Sequence, residues 1–243
     1  MQAYLNDPKL KETLVSRLKE HRRLEHLTQG VGWESDGETK GCNIGCLFEM
    51  YDHAEGAKLS GIPENVLRLA DAIFEELPKV EADDFAVAWP QTIIVGADLS
   101  LVWPRFAIWM LSDPEDGVIR FANDDGIRAI EAVVSLFQDH IEGMPYSWSA
   151  AWSAAWNAAA NAAASAAWSA ADSAASAAWS AAWSAAWSAA SAGSAARSAE
   201  ASAAASSARS SARSAACRKQ AAKLIELLSD ARAELDAEAE RKP

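Results

Sequence analysis

The chain has 243 residues, half of them apolar, three cysteines and a formal net charge of −12 at pH 7. The charge is lopsided: residues 1–146 carry 26 acidic and 13 basic side chains, residues 147–243 carry 8 and 9. An acidic globule excludes nucleic-acid binding by phosphate neutralisation, and no run is apolar enough to span a membrane. The odd cysteine count and the polar opening "MQAYLNDPKLKETL" argue for a reducing, cytoplasmic setting.

The segment "NDPKLKETLVSRLKEHRRLEHLTQG" predicts a first helix, with Asp7 as its cap, Pro8 in its first turn and Gly30 as its stop. Leu10, Leu14, Leu18, His21 and Leu24 share one stripe, so His21 belongs to the buried face. The loop "VGWESDGETKG" is followed by a short segment bearing Cys42 and Cys46. "GIPENVLRLADAIFEELP" is a second amphipathic helix, with Val66, Leu69, Ile73 and Leu77 on one side. Pro90 and Pro104 should break the next apolar stretch, in which "TIIV" offers a short strand. "DPEDG" is a turn. "DDGIRAIEAVVSLFQDHIEG" is a helix with Ile127, Ile130, Val134, Phe137 and Ile141 along one side. Gly143 and Pro145 then mark a boundary, giving an acidic helical domain at 1–146 and an Ala/Ser/Trp-repeat region at 147–243.

Alanine makes that second region helical. A four-residue repeat drifts about 40° per step around a helix. Trp148, Trp152 and Trp156 therefore fall nearly opposite Trp179, Trp183 and Trp187 on one straight rod. Such a rod would run on the order of 130 Å and expose its indoles. Helices broken near Asn157–Asn161 and Gly193, and packed on each other or on the acidic domain, are expected instead. Beyond Arg213, the residues Cys217, Ala221, Leu224, Leu228, Ala231 and Leu235 form a seam of period 3.5, suited to another helix of this chain or of a second copy. The basic residues Arg197, Arg209, Arg213, Arg218, Lys219 and Lys223 are expected on a solvated face.

Chemistry concentrates in "KGCNIGCLFEMYDH". Cys42 and Cys46 are one helical turn apart and, with His53 and either His21 or His26, could supply zinc ligands, although the spacing is not that of a zinc knuckle. The same histidines could serve a Cys–His nucleophile. The simpler reading is two core thiols, with Gly41 and Gly45 permitting close packing. Trp33, Trp89, Trp103 and Trp109 are core candidates, and Trp33, Trp103 and Arg105 could also stack on a planar ring such as a nucleobase. Asp113, Glu115, Asp116, Asp124 and Asp125 suit turns and caps, not a calcium loop.

The strings "GVGWESDGETKGCNIGC", "GIPENVLRLADAIFEELP" and "VGADLSLVWPRF", with the Ala-rich tail, resemble a family of uncharacterised proteins from phages and bacterial mobile regions with a G-K-G-C-x-x-G-C core. Where that family carries a Thr and a nearby His after the second Cys, this chain has Leu47, Phe48 and Glu49, which weakens a metal or catalytic reading of the loop. The resemblance carries no activity with it; it implies a phage-type accessory role, interference with host defence included.

The expected fold is mainly α, an acidic helical domain followed by packed Ala/Trp-rich helices. The expected function is non-enzymatic binding and assembly, with capture of a nucleotide-like signal or a protein partner. Self-association is expected, and no nucleic acid, membrane, metal or cofactor. The ligand-binding candidates are Cys42, Cys46, His21, His53, Trp33, Trp103 and Arg105. The rivals are a thiol- or metal-dependent enzyme centred on Cys42, Cys46 and a histidine, and a purely structural oligomer.

Overall fold

The computed structural model describes residues 2–37, 39–122, 124–143 and 211–231. Among these the chain is mainly α: eight α-helices and one two-stranded hairpin. The Trp-Ala repeat, the choice between one rod and several helices, the boundary after residue 146 and the last seam position, Leu235, lie outside the described residues. Two compact units divide the chain, Met1–Phe106 with Cys217–Pro243, and Ala107–Ala216.

The first unit begins with a tight turn, Ala3–Asn6, in which Tyr4, Leu5 and Asn6 all take positive φ. Left-handed backbone of this kind costs about 1–2 kcal/mol per non-glycine residue, and burial holds it in place. Tyr4 is fully buried and donates its hydroxyl to the Pro90 carbonyl. Ala3 exchanges backbone hydrogen bonds of 2.9 and 2.8 Å with Ala97 and Gly96. The segment "TIIV" is therefore not a strand; its backbone lies at the end of a helix and in the loop that receives the N-terminus.

Helix α1, Pro8–Arg23, starts as its sequence predicts: Asp7 accepts the Lys9 amide at 2.8 Å and Pro8 fills the first turn. It buries Leu14, Val15, Leu18 and His21. It ends well before Gly30, because Glu25 turns left-handed, and Leu24 is left exposed instead of joining the stripe.

The hairpin pairs β1, Trp33–Glu34, with β2, Lys40–Gly41. Gly41 also donates to the His26 carbonyl at 3.0 Å and accepts the Thr28 amide at 2.8 Å, which stitches the strand to the chain leaving α1. Helix α2, Asn43–Phe48, follows at once and is buried along its whole length. Its position depends on Gly45: a Cβ there would stand 1.8 Å from the Gly32 carbonyl oxygen. Helix α3, His53–Ser60, is capped by Asp52.

Helix α4, Glu64–Glu76, buries Val66, Leu67, Ala70, Asp71, Ile73 and Phe74. The buried face is turned toward Leu67 and Phe74 relative to the predicted stripe, and Leu69 is only half-buried. Gln29 closes the helix end by donating to the Phe74 and Leu77 carbonyls at 2.7 and 2.8 Å. Helix α5, Lys79–Thr92, runs through Pro90 rather than breaking at it. The proline lies in the last turn, so its missing amide and its ring disturb only the end of the helix. Tyr4 and Lys11 satisfy the carbonyls around it, Lys11 reaching Gln91 and Ile93 at 2.8 and 2.6 Å. Helix α6, Val102–Ser112, accommodates Pro104 in its first turn, where the missing amide has no intrahelical partner to lose.

In the second unit, Asp113 accepts the Glu115 and Asp116 amides at 2.9 and 2.8 Å, closing the turn read from "DPEDG". Helix α7, Asp124–Ile141, buries Ile130, Val133, Val134, Leu136 and Phe137, close to the predicted stripe.

Helix α8, residues 211–231, bears the seam. Cys217, Leu224, Leu228 and Ala231 are buried, with Leu227 beside them. Cys217 Sγ lies 3.4 Å from the Ile73 carbonyl of α4, and Arg218 makes a two-pronged pair with Glu81 of α5 at 2.6 and 2.8 Å. The start of the seam thus lies on this chain's own α4 and α5. No helix among the described residues is long and apolar enough to cross a membrane.

Gly45→Ala should destabilise the protein by about 2–4 kcal/mol, since neither backbone can yield without breaking the hairpin. Urea denaturation followed by tryptophan fluorescence measures this. An unchanged midpoint would show that α2 does not depend on contact with Gly32.

Candidate functional site

Cys42 follows β2 directly and caps α2, so its backbone position is set twice. Its amide donates to the Val31 carbonyl at 2.6 Å, and its sulfur accepts the Gly45 amide at 3.3 Å. One turn later, Cys46 Sγ lies 3.4 Å from the Gly41 carbonyl. Both thiols are core atoms, 1 % and 0 % exposed. Burial pushes the Cys46 thiol up to about 12. Cys42 is raised further, by burial first and then by the neighbouring Asp71 charge. At neutral pH both are thiols, the unreactive form.

The predicted partners of these thiols are placed differently. His53, at the start of α3, puts Nε2 3.1 Å from Asp71 Oδ2, and Tyr51 donates to the same oxygen at 3.0 Å. Burial and the Asp71 carboxylate push the Tyr51 hydroxyl up to about 12. His21 and His26 face each other, Nδ1 to Nδ1 at 2.9 Å, so one ring must donate and the other accept. Trp33 meets the edge of His21 with ring centres 5.5 Å apart. Trp103 stacks on Phe106 along α6, which also bears Arg105. Trp89 is fully buried.

Asp71 was not among the residues singled out from the sequence. It sits one turn after Leu67 and three residues before Phe74, so its carboxylate interrupts an apolar stripe. That interruption is a legible signal, since a buried carboxylate is unfavourable unless several donors satisfy it. Here Oδ2 receives two donors. Oδ1 receives none at ordinary hydrogen-bond geometry and is sealed from solvent; it and Trp89 Nε1 are the two such side-chain atoms among the described residues. Cys42, Asp71 and Glu75 bring one ligand atom each to within 4.8 Å of one another, the one group of three or more metal-ligating side chains found among the described residues. Glu75 accepts the Gly30 amide at 2.6 Å and is raised by partial burial and by the Asp71 charge. The Cys42–Cys46–histidine set is not brought together as one group.

Two outcomes follow. Cys42 and Cys46 should resist iodoacetamide in the native protein and label only as it unfolds; mass spectrometry across a urea series checks this, and rapid native labelling would contradict the buried, protonated thiols. His21 is lowered, by burial first and then by His26. Below about pH 6.5 the unfolded chain therefore takes up a proton that the folded chain refuses. Stability present above that pH falls as pH drops toward the lowered value. The urea midpoint should decline over this window, and decline less in His21→Asn.

No family model, curated protein or solved structure matches the chain.

Proposed function

We propose that the chain is a non-enzymatic binding and assembly protein whose ligand platform is the cluster of Trp33, His21 and His26. The observation that carries this reading is the half-buried Trp33 ring standing against the His21 imidazole, ring centres 5.5 Å apart, with His26 beside His21 at 5.2 Å. A planar ring stacks on an indole with about 1–3 kcal/mol per base. A nucleotide-like signal also brings phosphate oxygens that accept imidazole N–H groups. The raised Cys42 and Cys46 thiols weigh against the thiol-enzyme reading, because they hold no nucleophile ready at neutral pH. The counter-defence role implied by the family resemblance is compatible with capture of such a signal.

The acidic surface repels an anionic ligand, so affinity must come from stacking and local hydrogen bonds. Salt should therefore leave binding unchanged or tighten it, the reverse of an electrostatically driven complex.

A thermal-shift panel of linear and cyclic purine nucleotides tests the reading. At about 100 times Kd a binder adds roughly 2.7 kcal/mol of stability, and Trp33→Ala should weaken it at least about tenfold. A flat response across the panel removes the nucleotide ligand. Light scattering should find more than one copy per particle, and a strict monomer removes the assembly half of the proposal.

A further inference from the structure

The geometry points to a binding site for one divalent cation of the zinc class, held by Cys42, Asp71 and Glu75. Two elements supply the ligands: the cap of α2 gives Cys42, and α4 gives Asp71 and, one turn further on, Glu75. Their ligand atoms lie within 4.8 Å of one another, and a modest contraction reaches tetrahedral bonds of about 2.0–2.3 Å. A cluster of acids and a thiol is not a site by itself. The second observation is Asp71 Oδ1, buried in a residue only 6 % exposed and without a partner at ordinary hydrogen-bond geometry; the Cys42 thiol, the donor that interacts with this carboxylate, is itself one of the three ligands. A buried carboxylate oxygen left without a hydrogen bond is unfavourable, and a cation beside Cys42 and Glu75 would satisfy it.

The surrounding contacts are those that hold ligands in place. Tyr51 and His53 fix Asp71 through Oδ2. The Gly30 amide fixes Glu75, and the Gly45 amide fixes the Cys42 sulfur. Such outer partners orient ligands and tune their affinity. Glu75 is half-buried while the other two ligands are sealed, so an ion enters past Glu75. The thiolate favours zinc or cobalt over magnesium or calcium, and three protein ligands leave one position open for water. Binding replaces the Cys42 thiol proton by the metal and releases that proton to solvent, so affinity rises about tenfold per pH unit for each proton displaced. This site uses neither Cys46 nor a histidine as ligand and stands independently of the aromatic platform.

The test is titration of the reduced, chelator-treated full chain with cobalt(II) chloride, read by the thiolate-to-cobalt charge-transfer absorption and by visible d–d bands, with zinc chloride as competitor. One cobalt per chain is expected, displaced by zinc. Cys42→Ser keeps a good helix cap and should lose the charge-transfer band. Glu75→Gln, at a half-exposed position that threatens folding least, should bind at least about tenfold more weakly, as should Asp71→Asn. Cys46→Ala should keep the band. Circular dichroism and urea midpoints establish that each variant is folded. Absence of the band in the full chain, its persistence in Cys42→Ser, or unchanged affinity in folded Glu75→Gln each overturns the assignment.

Discussion

The approach of the Val31–Trp33 loop to helix α2 is the constraint on which the first unit turns. Gly45 sits so close to the Gly32 carbonyl that no side chain fits between them. Gly32 in turn lies under the Tyr51 ring, where an added Cβ would stand 2.6 Å from the ring carbon Cγ. These contacts bring the hairpin, α2 and the chain after α2 into one layer. They also explain why Cys42 can follow a strand directly and cap a helix at once: its amide reaches the loop carbonyls while its sulfur receives the Gly45 amide. From the same layer Gln29 and Gly30 reach the end of α4, closing its last carbonyls and holding Glu75.

Within that frame, Asp71 is a carboxylate buried on an apolar helix face. The Asp71 carboxylate draws Tyr51 and His53 to one oxygen, and its charge adds to burial in raising the Cys42 thiol and the Glu75 carboxyl beside it. His53 is thereby committed to an acid rather than to a thiol. The fold opposes a negative charge on the Cys42 sulfur, through burial and through a like charge nearby.

Helix α8 shows how a weakly patterned end of the chain finds its place. Its seam is built from small and branched residues, and Cys217 and Arg218 meet α4 and α5 at atoms that the chain presents close together. The exposed pair Arg218–Glu81 adds little by itself. Burial of Leu224, Leu227 and Leu228 supplies most of the attachment, about 1.5–3 kcal/mol for each fully buried side chain.

By itself the sequence determined the local elements: the Asp7–Pro8 helix start, the turn at Asp113, the amphipathic α4 and α7, the seam of α8, the inward face of His21 and the mainly α class. Each follows from periodicity or capping, which act within a few residues. The tertiary structure decided what neighbours across long separations settle. It closed the end of α5 beside Pro90, where Tyr4 and Lys11 supply donors to the last carbonyls from more than eighty residues away. It kept "TIIV" out of a strand, because α5 runs on to Thr92, Lys11 takes the Ile93 carbonyl and the N-terminal turn pairs with Gly96 and Ala97 just beyond. It also gathered Cys42, Asp71 and Glu75, whose proximity no spacing within one segment encodes. Asp71 was half-legible, as a charge on an apolar stripe; which thiol and which acid it would meet depends on how α2 lies on α4, and that depends on the space two glycines leave.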